Sequence, residues 1–156
     1  YFFIMIIIAH RSNIGGPNPE VENNPEQIDK CISIGYDVEI DLRYDSTNNT
    51  LWLGHDISQY TITWDWLESR SNNLWIHCKD IETLHEMTVN SYNYNYFWHH
   101  QDDYTLTSKK IIWAYPGKVF TNNTVVVMPE WNKFNCEKMK EYNCYGICTD
   151  YPEKLK

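Results

Sequence analysis

The chain opens on an unbroken apolar run over residues 2–9 that ends at His10-Arg11. A run without polar alternation reads as a strand buried on both faces, as in a parallel sheet. A loop rich in Gly, Pro and Asn follows over 12–25. Ile28, Cys31 and Ile34 then recur at helical spacing across Pro25–Ile34, and Gly35 stops that helix. A second strand is predicted at 38–43, with a short extension at 51–53 beyond the Asn48-Asn49 turn. Trp64–Ser69 reads as helix, Leu74–Cys78 as a third strand, and 80–88 as a helix that Asp80 caps. Strands four to seven are expected at 94–98, 111–115, 125–128 and 145–149, with a short helix around 135–142 before the last. Strand–helix alternation with apolar strands predicts an α/β architecture with a parallel sheet. No repeat or linker divides the chain, so residues 1–156 are expected to form a single domain.

Length constrains this picture, because a full eight-fold barrel usually needs about 250 residues and several connections here are too short for a helix. Seven Trp, 12 Tyr and five Phe exclude long disorder. The formal charge of −8 argues against a nucleic-acid partner, since duplex binding needs clustered Lys and Arg. No pair among Cys31, Cys78, Cys136, Cys144 and Cys148 has the two-residue spacing of a zinc knuckle, so buried reduced thiols are expected. The apolar start is too short for a membrane span of about 20 residues. It also lacks the basic flank and cleavage site of a signal peptide, so no transmembrane segment and a cytoplasmic location are expected.

Polar residues collect at the predicted C-terminal ends of the strands, where α/β proteins build their sites. His10 and Arg11 end the first strand. Glu39 and Asp41 are two apart on the second and share a face. His55-Asp56 follows in the next loop, and His77 and Lys79 end the third strand. Carboxylates for a hard cation, histidines for proton transfer, and Arg and Lys for phosphate charge suit metal-assisted phosphate chemistry. Singly, each has a structural reading as a hydrogen-bonded or ion-paired residue. Together they weigh more, because inward carboxylates on a buried strand are costly unless paired or metal-bound.

In order along the chain, Ile8-Ala9-His10-Arg11, Glu22-Asn23-Asn24, Gly35-Tyr36-Asp37-Val38-Glu39-Ile40-Asp41-Leu42 and Gly54-His55-Asp56 resemble the signature of the glycerophosphodiester phosphodiesterase family, within the PLC-like phosphodiesterases. The closing Gly146-Ile147-Cys148-Thr149-Asp150-Tyr151-Pro152 is similar to that family's final segment. The resemblance implies a compact TIM-type (β/α) barrel, here with shortened or missing outer helices. It implies hydrolysis of a small phosphodiester, such as glycerophosphocholine, or of a lysolipid-like substrate, to glycerol 3-phosphate and an alcohol. His10 and His55 would be the acid and base, and Arg11 would bind a phosphate oxygen. Glu39 and Asp41 would hold Ca²⁺ or Mg²⁺, Glu22 would be a further site residue, and Lys79 and Trp113 would contact substrate.

Three departures qualify that reading. Ser12 stands where the family has Gly, and Val21-Glu22-Asn23-Asn24 replaces its Pro-Glu-Asn-Thr stretch. In the third strand the family commonly has a metal-binding Glu two residues before the Lys, and this chain has His77. A neutral imidazole there leaves three alternatives open: weaker metal binding, preference for a borderline metal, or poor activity. Two other functions are therefore weighed, a catalytically inactive barrel that binds a phosphorylated ligand and a sphingomyelinase-D-like phospholipase. His99 and His100 follow the fourth strand, and alternation allows only one of them to face inward. Trp98, Trp113, Tyr115 and Trp131 are candidates for a pocket lining, and His85 for an exposed helix surface.

Overall fold

The computed structural model describes residues 4–90, 93–132 and 136–156. Its frame is a ten-stranded sheet in which seven strands run parallel. Those seven are β1 (Ile6–His10), β2 (Asp37–Asp45), β5 (Leu74–Cys78), β6 (Asn95–Phe97), β8 (Ile112–Ala114), β9 (Thr124–Val127) and β10 (Gly146–Thr149). They answer to the seven apolar runs of the sequence. Their neighbour order is β6-β5-β2-β1-β10-β9-β8, so the first and last strands of the chain pair directly. The remaining strands, β3 (Thr50–Leu53), β4 (Tyr60–Ile62) and β7 (Tyr104–Leu106), pair antiparallel at the margins. Residues 2 and 3 of the first predicted strand lie outside the described residues.

The sheet is curled, and alternation along each strand sorts its side chains onto two faces. The inner face carries Ile8, Trp75, Phe97, Trp113, Val127 and Cys148. The outer face of the first half carries Val38, Ile40, Leu42 and Ile76, packed against Ile28 and Cys31 of α1 (Pro25–Ile34), Leu67 of α2 (Trp64–Ser69) and Met87 of α3 (Ile81–Val89). Behind the second half, Val126 and Ile147 pack against Met139, Cys144 and Leu155. There the cover is 3₁₀ turns, so the helix expected around 135–142 is a 3₁₀ stretch at Cys136–Glu141, with Asn135 outside the described residues.

The ring does not close by a ladder. Among the described residues no pairing joins β6 to β8, and the expectation of a TIM-type barrel is met only by a curled, barrel-like mixed sheet with few helices. One serine spans the seam instead. Ser108 donates its N–H to Tyr96 O at 2.8 Å, its hydroxyl accepts from Tyr96 N at 3.0 Å, and it donates to Tyr94 O at 3.0 Å. Inside the seam, Phe97 and Trp113 stack with centroids 4.6 Å apart.

Cys31, Cys78, Cys144 and Cys148 are buried and unpaired. Burial pushes the Cys31 thiol up to about 11 and the Cys78 thiol up to about 12. Ellman's reagent at pH 8 should therefore react rapidly with at most one thiol of the native protein and with all five in denaturant. Rapid reaction of two or more native thiols would contradict this packing.

Candidate active site

Strand β2 places Glu39 and Asp41 on the inner face, at 3% and 0% exposure. Removing two carboxylates from water is costly, and their surroundings show how it is offset. Asn23 grips Asp41 twice: its amide donates to Oδ2 at 2.9 Å, and its Oδ1 accepts from Asp41 N at 2.9 Å. Arg11 Nε is 3.3 Å from Asp41 Oδ2, and Lys79 Nζ is 3.8 Å from Oδ1. Burial opposes the charge on Asp41, but the His55 hydrogen bond, the Arg11 charge and the Asn23 amide outweigh it and hold its carboxyl below the usual range. Arg11 also donates its backbone N–H to Glu39 O at 3.0 Å. The chain turns there through two left-handed residues, Arg11 (φ 51) and Ser12 (φ 66). Ser12 thus takes up the conformation that the expected glycine favours.

The three histidines are anchored in different ways. His10 Nδ1 lies 2.8 Å from Asp150 Oδ1, which also accepts from Asn13 Nδ2 at 2.9 Å. Burial opposes protonation of His10, but the Asp150 hydrogen bond and the Glu39 charge prevail, raising its pKa. Burial likewise opposes the charge on Asp150, and the His10 hydrogen bond reverses the balance. So Nδ1 carries a proton toward Asp150, and Nε2 points to Glu39 Oε2 at 3.8 Å. His55 is the opposite case. Its Nε2 accepts from Arg11 Nη2 at 3.1 Å, and a guanidinium only donates, so the Nε2 lone pair is exposed to that side. Its Nδ1 is 3.4 Å from Asp41 Oδ1. His77 Nε2 lies 2.9 Å from His99 O, which leaves Nδ1 facing Asp41 Oδ1 at 3.5 Å and Glu39 Oε1 at 3.7 Å.

The loop after β3 aims His55. Arg43 donates to Gly54 O at 2.9 Å and to His55 O at 2.5 Å. A side chain at Gly54 would put Cβ 1.8 Å from Ile57 O, so only glycine fits this turn.

These groups surround a cavity of about 440 Å³, whose lining includes His10, Arg11, Glu22, Glu39, His55 and His77. Trp113 forms its inner wall, and Tyr115 and Trp131 stand at its rim. Trp98 is absent from the lining. Lys79 is too, with its ammonium 3.4 Å from His55 Nδ1 and 3.8 Å from Asp41 Oδ1 rather than in the space. Both His99 and His100 line the cavity, contrary to the expectation that one would: β6 ends at Phe97, and strand alternation no longer applies beyond it.

Glu39, Asp41 and His77 each offer a ligand atom within 4.8 Å of the others. Two buried carboxylates converging with an imidazole nitrogen fit a divalent cation. Among the described residues Glu22 stands outside this group, 3.5 Å from Arg11 Nη1 and hydrogen-bonded to Asn13.

Four residues that hold this arrangement were not singled out from sequence: Asn13, Asn23, Arg43 and Asp150. Asn23 and Asp150 lie inside quoted motifs, which was the available signal. Replacing Asn23 by Ala leaves the Asp41 carboxylate and N–H short of partners and should cost about 2–4 kcal/mol in urea unfolding. The side chain of its neighbour Asn24 caps α1 by accepting from Glu26 N, so Asn24→Ala should cost about 1 kcal/mol. Equal losses for the two variants would contradict the special role of Asn23.

No family model matches the sequence, and no curated protein matches it. Among solved structures, the chain is similar to a glycerophosphoryl diester phosphodiesterase from Parabacteroides distasonis. The TM-score is 0.56 at 13% identity, covering 97% of this chain and 85% of that one. The protein thus shares its barrel-like fold with that phosphodiesterase.

Proposed function

We propose that the protein hydrolyses a small glycerophosphodiester, such as glycerophosphocholine, to glycerol 3-phosphate and an alcohol, with a divalent cation held by Glu39, Asp41 and His77. The observation that carries this reading is the opposed anchoring of His10 and His55 around one cavity. His10 is tied through Nδ1 to a carboxylate, which favours its protonated form. His55 is tied through Nε2 to a guanidinium, which requires a lone pair there. A histidine that directs its Nδ1 proton to a carboxylate and one that turns an Nε2 lone pair to a guanidinium, both on one cavity, suit an acid and a base.

In this reading the phosphodiester enters the cavity with its anionic oxygens toward Arg11. Turning onto the phosphate, Arg11 releases His55 Nε2, which then takes a proton from the attacking water. The new P–O bond forms as the bond to the leaving alcohol breaks, and His10 Nε2 supplies the proton that the leaving oxygen needs. Asp150 keeps His10 oriented throughout, and Lys79 holds Asp41 in place. A bound cation would offset phosphate charge and favour ionisation of the attacking oxygen. Trp113 on the inner wall, with Tyr115 and Trp131 at the rim, would receive the alcohol headgroup. The fold shared with a glycerophosphoryl diester phosphodiesterase supports the same reaction class.

Glycerophosphocholine and bis-p-nitrophenyl phosphate should be hydrolysed in the presence of a divalent cation and not in EDTA. His10→Ala and His55→Ala should each lower kcat by about 100-fold or more. Folded protein that turns over neither substrate with any divalent cation would overturn the proposal in favour of a ligand-binding barrel. Cleavage confined to sphingomyelin or lysophosphatidylcholine would place the activity with the sphingomyelinase-D-like phospholipases.

A further inference from the structure

His77 is fixed from two sides. Its ring stacks on Phe97, with centroids 5.0 Å apart and planes 15° apart. Its Nε2 is 2.9 Å from the carbonyl oxygen of His99, and a carbonyl only accepts, so Nε2 bears the proton. That carbonyl is itself held in place. The His99 ring donates from Nε2 to Asp102 O at 2.6 Å, and Thr105 donates its hydroxyl to the preceding carbonyl, Trp98 O, at 2.9 Å.

The other ring nitrogen therefore decides what the site accepts. A protonated Nδ1 would close on a carboxylate to about 2.7–2.9 Å. Its distances are 3.5 Å to Asp41 and 3.7 Å to Glu39, so neither contact is such a bond. Nδ1 presents a lone pair to two buried carboxylates, and three electron-pair donors converge stably only around a cation. A carbonyl fixing the far nitrogen is also the support that orients metal-ligating imidazoles.

We propose that His77 Nδ1 is a nitrogen ligand beside Glu39 and Asp41, and that the site takes a borderline transition-metal dication of the Zn²⁺ class in preference to Ca²⁺ or Mg²⁺. Ca²⁺ and Mg²⁺ take oxygen ligands and depend on anionic charge, of which this set supplies two carboxylates. Imidazole suits the borderline metals. Of the three alternatives left by the sequence, weaker binding, altered preference or poor activity, the fixed tautomer selects altered preference. The inference builds on the metal-assisted reading of the site but concerns binding, so it stands or falls separately from turnover.

Calorimetric titration of the whole chain with Zn²⁺ and with Ca²⁺ tests it, in wild type and in His77→Glu. Oxygen-only sites also favour Zn²⁺ by the general affinity order, so the deciding quantity is the change in the Zn²⁺/Ca²⁺ affinity ratio. The ratio should fall by about 100-fold or more in His77→Glu. An unchanged ratio, or wild-type protein that binds Ca²⁺ as tightly as Zn²⁺, overturns the proposal. Should His77→Glu fail to fold by circular dichroism, His77→Gln serves in its place. It should lose Zn²⁺ affinity while keeping that for Ca²⁺, and an equal loss of both overturns the proposal. Pulsed electron paramagnetic resonance of Cu²⁺-loaded protein gives a second readout. The modulation from a remote imidazole nitrogen should be present in wild type and absent in His77→Gln, and its persistence overturns the assignment. Zn²⁺ selectivity without diesterase turnover would uphold this inference and overturn the proposed reaction. Turnover supported by Ca²⁺ without selectivity would do the reverse.

Discussion

Two carboxylates buried side by side on β2 set the terms for the rest of the molecule. Glu39 and Asp41 are almost wholly withdrawn from solvent, and their mutual repulsion and lost hydration must be met by nearby positive charge and hydrogen-bond donors. The chain meets that demand from several directions. The β1 end supplies Arg11, the following loop supplies the Asn23 amide, the β5 end supplies Lys79, and the β3–β4 loop supplies His55. Each of these segments is held where it is partly by the carboxylates it serves. The site and the mouth of the sheet are one electrostatic assembly.

That dependence accounts for the uneven economy of the fold. Among the described residues, the three α-helices cover the half of the sheet formed by β1, β2 and β5, which carries the carboxylates and most of their partners. The other half is covered by 3₁₀ turns and a small apolar cluster, and its seam with β6 is spanned by Ser108 and an aromatic stack rather than by a ladder. Among the described residues the strands that line the cavity are present and few helices surround them. The far wall still contributes what the cavity needs: Trp113 from β8, and Asp150 just beyond β10 to orient His10.

How much of this the sequence revealed depended on the kind of signal each residue emits. Parallel strands buried on both faces are written as apolar runs, and all seven were legible. Pro25–Ile34 was legible with its bounds because periodicity, Pro25 and Gly35 punctuate it, and Trp64–Ser69 was legible with its bounds too, its start capped by Thr63. The short marginal strands β4 and β7 were not, since strands of three residues with exposed side chains such as Tyr104 and Leu106 carry no run and no clear alternation. In the site, residues whose charge is conspicuous in an apolar context stood out. Asn13, Asn23 and Arg43 did not, because they act by hydrogen bonding to other groups across the fold. The parity argument for His99 and His100 failed for a local reason, the end of β6 one residue before Trp98.

Together these features make Glu39, Asp41 and His77 the place where a cation should reside, with His10 and His55 placed around the same cavity. Anomalous diffraction at the zinc edge, from crystals grown with Zn²⁺, tests this most directly. The account predicts one strong peak within bonding distance of a Glu39 oxygen, an Asp41 oxygen and His77 Nδ1. An ordered ion held instead by His99 and His100, or no ion between the β2 carboxylates, would contradict it.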